Sequence, residues 1–172
     1  GATRATPTIA DVSVKLATLQ VPFVPNAGQW DKRAAFAAHT FAGTIFVTTD
    51  GKLVHSLPGK PPHGARSYRT SGWVLSETFV DAGKHSPRFT KPVGQVETSS
   101  KTSFLVGDVK RHTAPLNTFE RVRLNELYPG IALELRAHAN NVEKIFTIEA
   151  RHDPARIQLR VDGAKKLSIG NG

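Results

Sequence analysis

Residues Asn125–Leu135, N-E-L-Y-P-G-I-A-L-E-L, decide the fold. Pro129 fixes its φ at about −65° and Gly130 takes conformations that other residues avoid, so Tyr128-Pro129-Gly130 reads as a turn. After it, Ile131, Leu133 and Leu135 alternate with Ala132 and Glu134, the period of a half-buried strand. Before it, Phe119, Arg121 and Arg123 alternate with Val122 and Leu124. The stretch is therefore strand, tight corner, strand.

Downstream, the chain continues as a meander. Asn140-Asn141 is a turn, Glu143 to Ala150 a strand, and Asp153-Pro154 a second turn. Ile157, Leu159 and Val161 then alternate with Gln158, Arg160 and Asp162; Asp162-Gly163 turns again, and Leu167 and Ile169 begin a last strand. Upstream, Asp50-Gly51 separates the apolar run ending at Val47 from Leu53–Leu57, a strong short-range hairpin signal. Phe41, Ile45, Phe46 and Val47 read as sheet, Trp73, Leu75, Glu77 and Phe79 as one face of a strand, and Phe104–Val109 as a short strand. Residues 58–71 and 82–101 carry Pro and Gly and read as long loops, a length often tied to function. Gly1–Thr8 reads as a flexible arm, and Ile9, Val12, Leu16 and Leu19 recur at helical spacing. The expectation is an all-β domain over residues 9–172, an antiparallel β-sandwich or partly open barrel with a short N-terminal helix.

Composition sets the function classes. The 172 residues contain no cysteine, which excludes disulfides, thiolate metal sites and cysteine catalysis. No apolar run approaches the roughly 20 residues of a membrane helix. A net charge of +9, from 23 basic and 14 acidic residues, favours anionic partners or simply keeps the protein soluble. From Gly51 to Ser76 there is no acidic residue, while Lys52, Lys60, Arg66 and Arg69 are basic and Tyr68 and Trp73 lie among them. Lys60, Arg66, Tyr68, Arg69 and Trp73 are the candidate ligand-binding residues, because cations supply charge and aromatics supply stacking area. Trp73 also opens a strand, and there the core reading is favoured. The chain starts without Met and ends on Gly170-Asn171-Gly172, which reads as a piece of a longer protein.

Four ordered segments resemble the N-terminal domain of bacterial cell-surface proteins that carry β-propeller repeats of the SBBP type. Phe23 to Gln29 is similar to that family's F-x-x-N-x-G-Q opening, and Tyr128-Pro129-Gly130-Ile131 to its Y-P-G-I-D-L corner. Thr102 to Asp108 resembles its N-Y-F-x-G-N-D segment, and Glu143 to Phe146 with Asp153 to Leu159 its E-Y-D-F and A-D-P-x-x-I-x-L segments. Ala132 replaces the family's usual Asp and Lys144-Ile145 its Tyr-Asp, so no cation-binding role carries over. The resemblance implies a secreted or surface-displayed module with no catalytic residues to transfer, in which Asn26, Gly28, Gln29, Tyr128, Pro129 and Gly130 are structural.

No zinc-protease, nucleophile-elbow, phosphate-loop or calcium-loop motif is present. The seven histidines are scattered; His55 and His63 flank one loop without a carboxylate or thiol near them in sequence, so no metal or cofactor is expected. Glu134 and His138 lie four apart in a strand, where that spacing does not bring side chains together. Three readings follow. The first is a non-enzymatic extracellular structural or adhesion module whose partners are a cell-surface polymer and the rest of its own chain. The second is a binding domain for anionic glycan, with nucleic acid less favoured. The third is a polysaccharide hydrolase, for which no carboxylate pair stands out.

Overall fold

The corner at Tyr128 organises the architecture. In a computed structural model, which describes residues 19–57, 73–80, 87, 90–102 and 115–163, strands β8 (Leu116–Tyr128) and β9 (Ile131–His138) form the expected hairpin. Gly130 has a φ of +71°, and a Cβ there would lie 2.4 Å from the His152 ring, so both backbone and space require glycine. β9 is buried on both faces, not half-buried as its alternation suggests. It lies inside its sheet, with β8 on one side and β10 (Val142–Ile148) on the other. Of its outward residues, Ala132 is small and Glu134 is clasped by Arg136 at 2.9 Å and Arg121 at 3.6 Å.

The first sheet is completed by β1 (Gln20–Val21), which pairs with the end of β9, and β7 (Val93–Thr102), which pairs with β8. The second is an antiparallel ladder in the order β11-β6-β5-β4-β3-β2. Its strands are β2 (Val24–Pro25), β3 (Ala34–Thr40), β4 (Gly43–Thr48), β5 (Leu53–Leu57), β6 (Trp73–Val80) and β11 (Gln158–Asp162). The Asp50-Gly51 hairpin is present, with Val47 opposite Leu53 and Gly51 at φ +80°. Asn140-Asn141 joins β9 to β10, and Asp153 caps the short 3-10 turn Pro154–Arg156 by accepting from the Ala155 amide at 2.9 Å. The all-β, antiparallel expectation holds.

Two expectations need correction. Phe41 is not a sheet residue; it sits at the tip of the β3–β4 turn, 70% exposed, its amide donating to the Ala139 carbonyl at 2.7 Å. The expected loop 82–101 is strand from Val93 onward. Its V-G-Q-V-E-T-S-S-K-T sequence hides the period because β7 lies at a sheet edge and is bulged: Val96 has φ +59° and the register shifts between Glu97 and Lys101. The expected arm, the strands at Phe104–Val109 and Leu167–Ile169, and loop 58–71 lie outside the described residues, as does all of the expected N-terminal helix except Leu19, which is not helical. Among the described residues no helix is long and apolar enough to cross a membrane.

The sheets share one core, in which Phe23, Leu53, Phe79, Leu124, Leu133 and Leu135 are buried. Two ties join them. Phe23 pairs with Phe119 of the first sheet, its amide donating to the Phe119 carbonyl at 2.7 Å, one residue before the chain enters the second sheet at Val24. Tyr128, fully buried, donates its hydroxyl to the Val80 carbonyl at 2.7 Å, where β6 ends against β11. Tyr128→Phe keeps the ring and removes that bond, so it is expected to lower the urea-measured unfolding free energy by about 1–2 kcal/mol. An unchanged midpoint would show that the hydroxyl is not a tie between the sheets.

Candidate functional site

The segment between β2 and β3 is built around one amide. Asn26 Nδ2 donates to the carbonyls of Asp31 and Ala34, each at 2.9 Å, and more distantly to that of Trp30. Its Oδ1 accepts from the amides of Gly28 at 3.0 Å and Trp30 at 3.3 Å. Gln29 closes the tip, donating to the Pro25 carbonyl at 2.8 Å and accepting from the Ala27 amide at 2.6 Å. Gly28 turns the chain at φ +104°. A polar loop thus gains internal partners for its backbone groups and is tied to the strands on either side.

That loop lays the Trp30 indole against the outward face of the second sheet. Its ring meets Phe46 edge-on with centroids 5.8 Å apart, and His39 at 6.0 Å. Two grooves adjoin here, with Trp30, Ala34 and Thr49 lining both. The first, about 610 Å³, has Trp30, Phe46 and Val54 as apolar walls and Arg33, Thr48 and Lys52 among its polar ones. The second, about 480 Å³, is bounded by Asn26, Phe36, Pro92, Lys32 and Lys91.

The first groove also holds two carboxylates, Asp31 and Asp50. A bidentate Arg33 guanidinium, at 3.0 and 3.1 Å, holds the Asp31 carboxyl down at about 2. Burial opposes the charged form of Asp50, but the Thr48 hydroxyl and the Lys52 ammonium, 3.3 Å away, outweigh it and keep that carboxyl below its ordinary range. A glycosidase needs one carboxyl raised so that it can donate a proton; both of these are shifted the other way. The groove offers charged and hydroxyl hydrogen-bonding groups beside aromatic faces, a set suited to holding a polyhydroxylated chain.

A second cluster lies between the sheets. Glu77 of β6 receives the Lys144 ammonium of β10 at 2.8 Å and faces His55 Nε2 at 3.5 Å. The Lys144 contact joins the two sheets, the His55 contact joins neighbouring strands of the second, and both border a cavity of about 260 Å³ also lined by Asn140 and Asn141. Burial raises the Glu77 carboxyl, and the His55 and Lys144 contacts outweigh it, so the net shift is downward. The signal for this cluster was a charged residue within each apolar row: Glu77 between Leu75 and Phe79, and Lys144 between Val142 and Phe146. Among the described residues no group of three His, Asp or Glu side chains is placed to hold a metal ion.

Of the five candidate ligand-binding residues, Lys60, Arg66, Tyr68 and Arg69 lie outside the described residues. Trp73 lines neither groove, and it is 47% exposed instead of core. It occupies the last rung of the β5–β6 ladder, opposite a half-buried Leu57, at the margin of the core. Glu134 and His138 do not meet; they pair with Arg136 and Glu143 respectively. Sequence reasoning missed Trp30, whose signal was its place directly after the Asn26–Gln29 motif.

The family model described as "Domain of unknown function (DUF7948)" matches residues 23–172, so the chain belongs to that family. No curated protein matches the chain. No solved structure matches it either.

Asn26→Asp keeps the oxygen that accepts from Gly28 and Trp30 but turns a charged oxygen toward backbone carbonyls. It is expected to cost about 2 kcal/mol of stability by urea denaturation, and an unchanged midpoint would refute the hub role. For Glu77 the folded-state pKa lies below the ordinary 4.5, so its stabilisation is present above that pH and is lost as pH falls through the folded value. Glu77→Gln is therefore expected to lower stability by about 2–3 kcal/mol at pH 7 and to converge on the parent in acid. A deficit that stays constant below pH 4.5 would show that the Glu77 charge is not the source.

Proposed function

We propose that this member of the DUF7948 family is a non-enzymatic glycan-binding module of a secreted or surface-displayed bacterial protein, and that it takes a saccharide chain across Trp30. The observation that carries the reading is the pair of adjoining grooves lined by this one indole on the outward face of a sheet. An aromatic face covers the C–H face of a sugar ring and removes apolar area from water. The flanking Asp31–Arg33 and Asp50–Lys52 pairs supply acceptors and donors for hydroxyls while balancing each other's charge. A rigid ladder below and an Asn26-braced loop above hold these groups in place before binding, which reduces its ordering cost. The extracellular setting rests on the four-segment resemblance. A nucleic-acid reading calls for a long track of uncompensated cations, and in the first groove Arg33 and Lys52 are already paired.

The test is isothermal titration of the protein against a panel of soluble polysaccharides. Trp30→Ala is expected to weaken binding of the preferred polymer at least tenfold, in line with about 1.4 kcal/mol or more from one buried aromatic contact. Val54→Thr, on the floor of the first groove, is expected to weaken it less, with the thermal midpoint reporting that both variants are folded. Binding that survives Trp30→Ala in a folded protein, or no binding to any polymer, would end the reading.

A further inference from the structure

We infer that the second groove selects an acidic saccharide, with Lys32 and Lys91 receiving a carboxylate or sulfate substituent of the chain that crosses Trp30. This rests on the glycan reading and adds the chemical class of the ligand. The two grooves differ in charge. In the first, each cation has a carboxylate partner, Arg33 with Asp31 and Lys52 with Asp50. In the second, Lys32 and Lys91 line the wall and, among the described residues, no carboxylate does. Neither lysine has an ion-pair partner among the described residues, and both are exposed. Asp31, the sequence neighbour of Lys32, attracts it weakly, but both carboxylate oxygens are hydrogen-bonded by Arg33.

The lysines come from separate parts of the chain, which makes their convergence informative. Lys32 rides on the loop that Asn26 braces through the Asp31 and Ala34 carbonyls. Lys91 precedes a buried Pro92 at the foot of β7, in the other sheet. Two lysines on anchored backbone lining one groove, with no carboxylate among its described lining residues, lower the free energy of an anion held there. An ammonium is a point charge with freely turning donors, so it accepts carboxylate or sulfate without demanding planar geometry. Salt weakens such exposed contacts, which gives the inference a readout of its own.

The experiment uses one backbone in three forms: dextran, carboxymethyl dextran and dextran sulfate, titrated against the protein at 50, 150 and 300 mM NaCl. The parent is expected to bind at least one charged form tenfold or more tighter than dextran at 150 mM salt, and the better of the two identifies the substituent. Lys32→Ala/Lys91→Ala is expected to bring that preference to within about twofold and to flatten the slope of log affinity against log salt by about 1.5, the loss of two cation contacts. Lys101→Ala/Arg151→Asn removes the same charge away from the groove, Asn being tolerated at the φ of +69° found at Arg151, and is expected to keep the preference. An equal loss in this control would mean general attraction by net charge and would overturn the inference. If Trp30→Ala abolishes binding while the Lys32/Lys91 variant keeps its preference, the inference fails and the glycan reading stands. If no form binds, or if binding ignores Trp30, both fail.

Discussion

The Tyr128 hydroxyl, donated to the Val80 carbonyl, is the interaction on which the two-sheet arrangement turns. Sheets packed face to face through apolar side chains can slide, because hydrophobic contact has no direction. A buried hydroxyl aimed at one carbonyl does have a direction, and leaving it unmade costs more than making it gains. Tyr128 sits at a corner where Pro129 and Gly130 leave little backbone freedom, and His152 closes over Gly130. Corner geometry thus fixes where the hydroxyl points, and the hydroxyl fixes where β6 and β11 lie against the first sheet. Phe23 makes the complementary tie at the other side of β8, carrying the chain from one sheet to the next.

A third tie, an ionic one, works differently. Lys144 and Glu77 meet across the sheets, within rows that are otherwise largely apolar. Burying such a pair is weak evidence of net stabilisation, because desolvation consumes much of the Coulomb gain. Its effect is specificity: shifting either strand by one residue would move its charge to the opposite face and leave the partner buried alone. The pair therefore favours this register of β10 against β6 more than it favours folding as such.

Much of the architecture was legible because strands and turns are written locally. Asp50-Gly51 and Tyr128-Pro129-Gly130 announced their hairpins through the conformations that Gly and Pro permit. What stayed hidden depends on neighbours distant in the chain. β9 is buried on both sides because of what pairs with it, which its own alternation does not record. β7 is an edge strand with a bulge, and polar composition there imitates a loop. The candidate site was illegible for the same reason. Lys32 and Lys91 lie on segments that lead into different sheets, and no local window shows that they line one groove. The aromatic that strand periodicity singled out, Trp73, stands at the core margin, while Trp30, which has no periodicity, lines the grooves.

Trp30 has no periodicity because its position is set by hydrogen bonds. Exposed aromatic surface on a flexible loop would collapse onto the nearest apolar patch, and ordering it again would weaken any ligand. Here the sheet's own outward aromatic, Phe46, supplies the edge contact on one side, and Asn26 binds the Trp30 backbone through both its N–H and its carbonyl. The motif that reads as a structural signature is therefore also the support of the proposed binding surface. The same amide holds the Asp31 carbonyl, so the loop cannot drift without moving Asp31, Lys32 and Trp30 together. Charge, stacking face and hydrogen-bonding rim are carried as one unit, which is the condition for reading several features of a single polymer at once.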